Sequence, residues 1–203
     1  MISALSNLVG RDVPRETFQT IDAYVALLVE ANAVQNLVAA STIANIWERH
    51  ILDSAQLVAH APATNWIDIG SGAGLPGVVT AILTGQQTTL VEPRRLRFAF
   101  LNQIVAELGL DHVVPIQGKP AKVHGQFGVI TARAVASATE LLRMTLHLSH
   151  SNTVWLLPKG RNAQKELDEV RAAWHGEFRL EPSRTDDESS ILVATGVRPW
   201  GKQ

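Results

Sequence analysis

The segment Trp66–Val79, WIDIGSGAGLPGVV, joins two apolar runs through a glycine-rich turn. The first run has the length of a strand that ends at Gly70, and the second predicts a helix that follows Gly74. Gly72, Gly74 and Gly77 fit the pattern G-x-G-x-x-G, in which glycines let the backbone turn sharply and approach a ligand closely. This order of strand, turn and helix predicts an open parallel sheet with its ligand site at the carboxyl ends of the strands.

The chain after this turn alternates between short apolar runs and helical patterns. Helices are predicted from Pro93 to Leu108 and from Gly160 to about Trp174. The other predicted strands are TTLVE (88–92), HVVPIQ (112–117), FGVITAR (127–133), TVWLLP (153–158), EFRLEP (177–182) and SSILVATGV (189–197). The alternation predicts an α/β fold with a Rossmann-like doubly wound sheet, closed by an antiparallel pair. The acidic TDDESS between the last two strands is interpreted as a solvated turn.

The first 62 residues have a different pattern. Their apolar side chains recur at spacings of three and four residues, which predicts helices. Ala61 to Thr64, APAT, interrupts this pattern just before the first strand. We therefore predict an N-terminal helical section, residues 1–62, and a Rossmann-like domain, residues 63–203, packed as one compact unit.

Composition limits the classes of function. With 203 residues and 46% hydrophobic side chains, the chain is long enough for one large domain with a core. Its 18 Lys and Arg nearly balance 19 Asp and Glu, so a polyanion requires a local basic patch. The absence of cysteine excludes disulfides and thiolate nucleophiles. No secretory signal and no membrane-spanning apolar segment is found, so we expect a cytoplasmic monomer without a membrane partner or a metal site.

Two acidic residues bear on the ligand of the glycine turn. Glu92 ends the next strand, about 20 residues on, where an acid that binds ribose hydroxyls is expected; it indicates adenosine. A carboxylate at Asp68 would repel the pyrophosphate of a nicotinamide cofactor and attract the ammonium and sulfonium groups of S-adenosylmethionine. The residues favour S-adenosylmethionine, with an NAD-dependent oxidoreductase and a catalytically silent adenosine-binding protein as alternatives.

Four basic residues are candidates for a local RNA-binding patch. Arg94 and Arg95 begin a predicted helix, where cations oppose the helix dipole, and this favours an external anion such as phosphate. Lys119 and Arg161 belong to loops that a doubly wound sheet places at the same edge.

Several motifs resemble one family. They are NLVA (36–39), WERHILDS (47–54), IDIGSGAGLPG (67–77), RFAFL (97–101), TARAVA (131–136) and LPKG (157–160). Together they resemble the RsmG (GidB) family of bacterial small-subunit ribosomal RNA guanine-N7 methyltransferases. The resemblance implies a class I methyltransferase fold preceded by helices, S-adenosylmethionine as methyl donor, and 16S ribosomal RNA or the small subunit as partner.

The resemblance also implies a set of donor-binding residues. They are Asp68, Gly70, Gly72, Gly74, Leu75, Glu92, Pro120, Ala121 and Arg133. Two positions depart from the family pattern. Ala121 stands where the family usually has an acid beside the adenine, and Gly128 stands where an Asp is common at the start of the fourth strand.

Methylation of guanine N7 needs no general base, because N7 has a lone pair and no proton. Catalysis would then rest on positioning, and Arg133 and Lys159 follow successive strands on the ligand side of the sheet. They are our candidates for orienting the substrate; structural ion pairs are the alternative.

Arg49 and Asp53 are four residues apart in WERHILDS. The spacing alone favours an ion pair within one helix. The resemblance instead makes Arg49 and His50 candidates for contact with RNA.

Overall fold

Seven strands form a single sheet at the centre of the molecule, described for residues 1–200 by a computed structural model. The last three residues of the predicted domain 63–203 lie outside the described residues. The strands are β1 (Trp66–Ile69), β2 (Thr88–Glu92), β3 (Val113–Gln117), β4 (Val129–Ala132), β5 (Val154–Lys159), β6 (Trp174–Pro182) and β7 (Ser190–Pro199). Their order is β3-β2-β1-β4-β5-β7-β6, with β7 antiparallel to both of its neighbours. The predicted doubly wound sheet with an antiparallel last strand is confirmed.

Helices cover both faces of this sheet and precede it. They are α1 (Ile2–Val9), α2 (Arg15–Gln35), α3 (Asp53–Ala55), α4 (Gly77–Thr84), α5 (Arg95–Glu107), α6 (Ala138–Thr145) and α7 (Ala163–Ala173). Short 3-10 turns at Ala40–Asn45 and Gln56–His60 and a π-helical turn at Trp47–Leu52 surround α3. In the described residues no helix is long and apolar enough to cross a membrane, and no three His, Asp or Glu side chains are grouped to hold a metal ion.

Three predicted helix starts were early by two or three residues, and one of them is the helix predicted from Gly160, which begins at Ala163. The helix after the glycine turn begins at Gly77, because Gly74 and Leu75 donate their N–H groups to the carbonyl of Ser71 in a separate turn. The helix predicted from Pro93 begins at Arg95, because the Glu92 side chain binds the backbone N–H of Arg94.

One hydrophobic core joins the N-terminal helices to the sheet. Leu5 of α1 and Leu28 of α2 are fully buried in the same cluster as Val78 of α4 and Ile104 of α5. Burial of apolar area of this kind is the main favourable term in folding. The first helices therefore pack directly behind the helix that follows the glycine turn.

Candidate active site

The glycine turn lies at the carboxyl edge of the sheet, beside the loop that follows β4. Ile69 pairs with Ala132, so Gly70 and Arg133 follow adjacent strand ends. Gly70 has a φ of +68°, and a Cβ there would lie 2.6 Å from a methyl carbon of Val135. Only glycine combines this left-handed conformation with so close a neighbour. The turn and the β4 loop therefore pack against each other at this edge of the sheet.

Glu92 fastens the glycine turn to the end of β2. One carboxylate oxygen accepts the N–H of Gly72 at 2.9 Å, and the other accepts that of Arg94 at 2.8 Å. The side chain is buried, yet a carboxylate has about four lone-pair directions, so two remain for further donors. This arrangement keeps the acid in place for the ribose role that the sequence predicts for it.

Asp68 lies beneath the turn rather than on the crevice surface. The residue is 1% exposed, and its carboxylate accepts the Thr131 hydroxyl at 2.9 Å and the N–H of Gly77 at 3.2 Å. Burial raises the pKa of Asp68 to about 6, although these hydrogen bonds and the charge of Arg133 lower it. The interpretation that Asp68 faces a ligand directly is corrected: any attraction to a cation acts from below the turn.

Tyr24 of α2 supports the turn from the other side. Its hydroxyl donates to the carbonyl of Ala73 at 2.8 Å, and a Cβ on Gly74 would lie 3.2 Å from this hydroxyl. Tyr24 is fully buried, and burial raises its pKa above the usual range, so it remains a neutral donor. No local sequence pattern indicates this contact, because 49 residues separate the two partners.

An apolar cavity of about 340 Å³ opens beside the turn. Its walls come from the ends of the first three strands, from the β4 loop and from α6: Ile69, Gly70, Val91, Pro93, Gly118, Lys119, Pro120, Ala121, Val135 and Met144. Ligand pockets of this size with mostly apolar walls suit a flat aromatic group such as adenine. With Glu92 at the end of β2 and the glycine backbone alongside, the residues present fit an adenosine-bearing donor.

Arg133 and Asp53 meet on the other side of the β4 loop. The guanidinium Nη1 lies 3.3 Å from the Asp53 carboxylate, and both side chains are one-fifth exposed. The ion pair predicted within WERHILDS is wrong: Asp53 pairs with Arg133, whereas Arg49 pairs with Asp186 at 2.9 Å. Both side chains reach out of their helical turns toward other elements, so spacing along the helix does not govern their pairing.

Two adjoining cavities, of about 320 and 330 Å³, share Asp53 and Arg133 as walls. The first extends toward Lys159 and α7, and the second toward Arg49 and His50. We call the two together the cleft. It brings the helical segment that precedes β1, the β4 loop and the β6–β7 loop to one place.

Lys159 does not face the cleft as a free cation. Its ammonium lies 2.8 Å from Glu166 and 3.1 Å from the carbonyl of Ala136, and its side chain is 8% exposed. Glu166 also accepts the N–H of Ala138 at 2.6 Å. The geometry supports the alternative of a structural ion pair, which fixes the β4 loop from behind.

The β6–β7 loop, predicted to be a solvated turn, forms part of the cleft wall. Asp186 pairs with Arg49, and Glu188 accepts two hydrogen bonds from Arg161, at 2.9 and 2.5 Å. The loop is anchored through the Gln56 side chain, which accepts the backbone N–H of Arg184 at 2.9 Å. Two of the predicted RNA-binding arginines thus carry a carboxylate partner from this loop.

His50 is present in the cleft as a neutral side chain. Burial, together with the charges of Arg133 and Arg49, lowers its pKa to about 4. One ring nitrogen lies 2.7 Å from the Thr42 hydroxyl, and the other is buried without a hydrogen-bond partner in the described residues. Contact of His50 with RNA stays a prediction, and it would be made by a neutral hydrogen-bonding group.

Lys119 lines the apolar cavity, and Arg94 and Arg95 directly follow its wall residue Pro93. All three side chains are exposed, and within residues 1–200 none forms a salt bridge. Unpaired cations at the mouth of a cavity are available to an external anion. Their part in a local RNA-binding patch stays a prediction.

The two departures from the family pattern lie at opposite ends of the sheet. Ala121 lines the apolar cavity, so its missing acid bears on ligand binding. Gly128 precedes β4 at the far edge, and a Cβ there would overlap the Thr64 side chain. The second departure is therefore a packing feature that does not touch the crevice.

Comparison with known proteins agrees with this geometry. The model of the GidB family, described as rRNA small subunit methyltransferase G, matches residues 17–182. The chain belongs to this family. It is 49% identical over 185 residues to the ribosomal RNA small subunit methyltransferase G of Sphingopyxis alaskensis, covering 89% of this chain and 79% of that protein. The corresponding protein of Rhizorhabdus wittichii is 44% identical over 196 residues, covering 94% and 90%.

A solved structure supports the fold. A SAM-dependent methyltransferase from Aquifex aeolicus superposes with a TM-score of 0.60 at 13% identity, over 75% of this chain and 93% of that one. At this identity the likeness concerns the fold alone. The resemblance of the sequence to the GidB family is confirmed by the family match.

Proposed function

We propose that the protein transfers a methyl group from S-adenosylmethionine to N7 of a guanine in 16S ribosomal RNA. The observation that carries this proposal is the glycine turn held by Glu92 beside an apolar cavity, in a chain of the GidB family. Relatives of this chain carry the name ribosomal RNA small subunit methyltransferase. No feature of the described residues favours an NAD-dependent oxidoreductase.

The residues present would divide the binding of the donor among them. Glu92 would accept the ribose hydroxyls, and the loop at Pro120 and Ala121 would contact adenine. The buried carboxylate of Asp68 would add a negative potential below the methionine end, where low polarity strengthens it. When bound, S-adenosylmethionine supplies a methyl group activated by its sulfonium.

Methyl transfer to N7 mainly requires the protein to position the base and the methyl donor. Guanine N7 presents a lone pair in the ring plane, so no side chain has to remove a proton. The cleft walls would fix the base in line with the methyl group and exclude water, which lowers the entropic part of the barrier. Arg133, beside Gly70, would orient the base.

We further propose how the chain is organised around its substrate. The helical section 1–62 would contribute a wall of the RNA cleft, and residues 63–203 would bind the donor. The exposed Arg94, Arg95 and Lys119 would receive phosphates. The enzyme would act as a monomer on 16S ribosomal RNA or on the small subunit, in the cytoplasm.

Two measurements test the proposal. Calorimetry with S-adenosylhomocysteine and with NADH, without RNA, separates the cofactor classes; we expect binding of the first alone. Small subunits from cells that lack the protein are then incubated with enzyme and labelled S-adenosylmethionine, and 7-methylguanine is mapped by chain cleavage. Binding of NADH alone, or donor binding without any RNA methylation, would overturn the proposed reaction.

A further inference from the structure

The pair Asp53–Arg133 has unused hydrogen-bonding capacity that is directed at the cleft. Oδ1 of Asp53 is occupied by the Gln56 amide at 3.0 Å and by the Thr185 hydroxyl at 3.2 Å. Oδ2 receives only Arg133 Nη1, at a long 3.3 Å. Since each carboxylate oxygen accepts about two hydrogen bonds, Oδ2 retains a free lone pair.

Arg133 uses an even smaller fraction of its hydrogen-bonding groups. A guanidinium has five N–H donors, and in residues 1–200 only the one on Asp53 is engaged. Both residues line both cavities of the cleft. The cleft therefore presents a charged donor and a charged acceptor side by side, next to the end of β1.

Guanine carries the complementary pattern on its Watson–Crick edge. Its O6 accepts a hydrogen bond, and the neighbouring N1–H donates one. Adenine has the inverse pattern, because its N6 amino group donates and its N1 accepts. A donor and an acceptor about 3 Å apart therefore suit guanine and oppose adenine.

We propose that Asp53 and Arg133 read the target base, with Arg133 donating to O6 and Asp53 Oδ2 accepting N1–H. The proposal rests on the proposed function and deepens it, since it names the residues that make the site specific for guanine. N7 lies on the far side of O6 from N1, so this edge is bound while N7 stays open to the methyl group.

The carboxylate also acts on the reaction itself. Methylation at N7 places a positive charge on the purine, and this charge makes N1–H a stronger donor. A fixed carboxylate on N1–H therefore binds the methylated base more tightly than the unmodified one, which lowers the barrier. Asp53 is then a catalytic residue in the sense that it touches the reacting base.

Asp53→Asn is a sharp test because its orientation is dictated by its neighbours. Gln56 and Thr185 both donate to Oδ1, so the Asn oxygen takes that place and its NH₂ group replaces Oδ2. A donor then faces guanine N1–H. We expect methylation of small subunits to fall about 100-fold, the upper range for one base contact.

The matched control is Asp187→Asn. Asp187 is exposed, has no ion-pair or hydrogen-bond partner within residues 1–200, and lies close in sequence to Thr185. It loses the same charge, and we expect activity within about twofold of wild type. S-adenosylhomocysteine affinity and melting temperature are measured for all three proteins. A loss of donor affinity or of folding in Asp53→Asn equal to its loss of activity would overturn the proposal.

A second measurement changes the base instead of the protein. Small subunits are rebuilt with inosine or 1-methylguanine at the guanine that the wild-type enzyme modifies. Inosine keeps O6 and N1–H, so we expect the wild type to methylate it within about threefold of guanine, and to methylate 1-methylguanine about 10- to 100-fold more slowly. Asp53→Ala should lose most of this difference.

The two proposals fail in different ways. If the wild type binds S-adenosylhomocysteine but modifies no guanine, the proposed function fails and this inference fails with it. If the wild type forms 7-methylguanine while Asp53→Asn is equally active, or while the 1-methylguanine penalty is the same in Asp53→Ala, only the assignment of Asp53 is overturned.

Discussion

The hydroxyl of Tyr24 in α2 holds the carbonyl of Ala73 in the glycine turn at 2.8 Å. Tyr24→Phe removes this donor and leaves a buried carbonyl without a partner, which costs about 1 to 3 kcal/mol of unfolding free energy. We expect S-adenosylhomocysteine to bind about 3- to 10-fold more weakly, because the turn loses its support. Calorimetry and urea denaturation measure the two effects.

The control for Tyr24→Phe is Thr145→Val. Its buried hydroxyl donates to the Leu141 carbonyl within α6 and accepts the indole N–H of Trp155, and neither partner belongs to the glycine turn. This variant should lose stability without losing donor affinity. Equal losses of affinity in both variants would show that the Tyr24 contact has no particular link to the turn.

Asp68 gives the free energy of unfolding a defined pH dependence. Burial raises its pKa from 3.8 to about 6, so the folded state holds the proton more tightly than the unfolded state. The stability this confers is complete below about pH 4 and is lost as pH rises through 6, in total about 3 kcal/mol. Asp68→Asn should lack this loss, so its stability relative to wild type should increase from pH 4.5 to 6.5.

His50 has the opposite effect in the same range. Its pKa is lowered from 6.5 to about 4, so its contribution is present above pH 6.5 and is lost as pH falls. The two effects therefore partly cancel in a plot of wild-type stability against pH. The informative quantity is the difference in unfolding free energy between a variant and the wild type at each pH. Urea denaturation at pH 4.5, 5.5 and 6.5 measures it, with Asp187→Asn as the exposed control; a curve for Asp68→Asn parallel to wild type would refute the assignment.

Ala121 lines the apolar cavity, at the position where the family resemblance led us to expect an acid. Ala121→Glu should restore a carboxylate that accepts the adenine amino group, and it should tighten S-adenosylhomocysteine binding about 3- to 10-fold. The glutamine in Ala121→Gln has the shape of glutamate without its charge, so this variant should gain less affinity for S-adenosylhomocysteine. An unchanged or weaker affinity in Ala121→Glu would mean that the adenine lies elsewhere.

Arg94 and Arg95 test the RNA surface. Replacing both by Ala should weaken RNA binding and reduce the slope of log affinity against log salt by about 1.5, the value for two phosphate contacts. Donor affinity should stay the same. The exposed pair Arg179 and Arg198 on β6 and β7 provides a control with equal loss of charge. The salt dependence of RNA binding is measured for all variants by filter binding. Equal slopes for the two double variants would show that Arg94 and Arg95 do not contact RNA phosphates.

The sheet was predictable because its strands are short apolar runs bounded by glycine and proline. Helix starts were less predictable, since side chains decide them: Glu92 binds the N–H of Arg94 and delays α5 to Arg95. The pattern of residue types contains no information on such a contact. Errors of two or three residues follow from it.

The cleft was the least predictable part. Arg49 and Asp186 are 137 positions apart, and Asp53 and Arg133 are 80 apart. Their spacing within one helix suggested that Arg49 pairs with Asp53, but in the folded protein each of them pairs with a residue from another element. The glycine turn was predictable as a candidate site because strand, turn and helix are adjacent in the sequence. The β6–β7 loop, in contrast, reaches the cleft only once β6 and β7 have paired with the rest of the sheet.

The shared core of the first and later helices also has a consequence for biosynthesis. Leu5 and Leu28 are made first, but the apolar cluster in which they are buried also contains Ile104 and Leu110, which are translated much later. Until those residues are made, the apolar face of the N-terminal helices stays exposed to solvent. Exposed apolar surface of this kind is what chaperones bind. The cavity beside the turn that Tyr24 supports also needs Val135 and Met144, so the nascent protein completes this site only when more than half of the chain has been made.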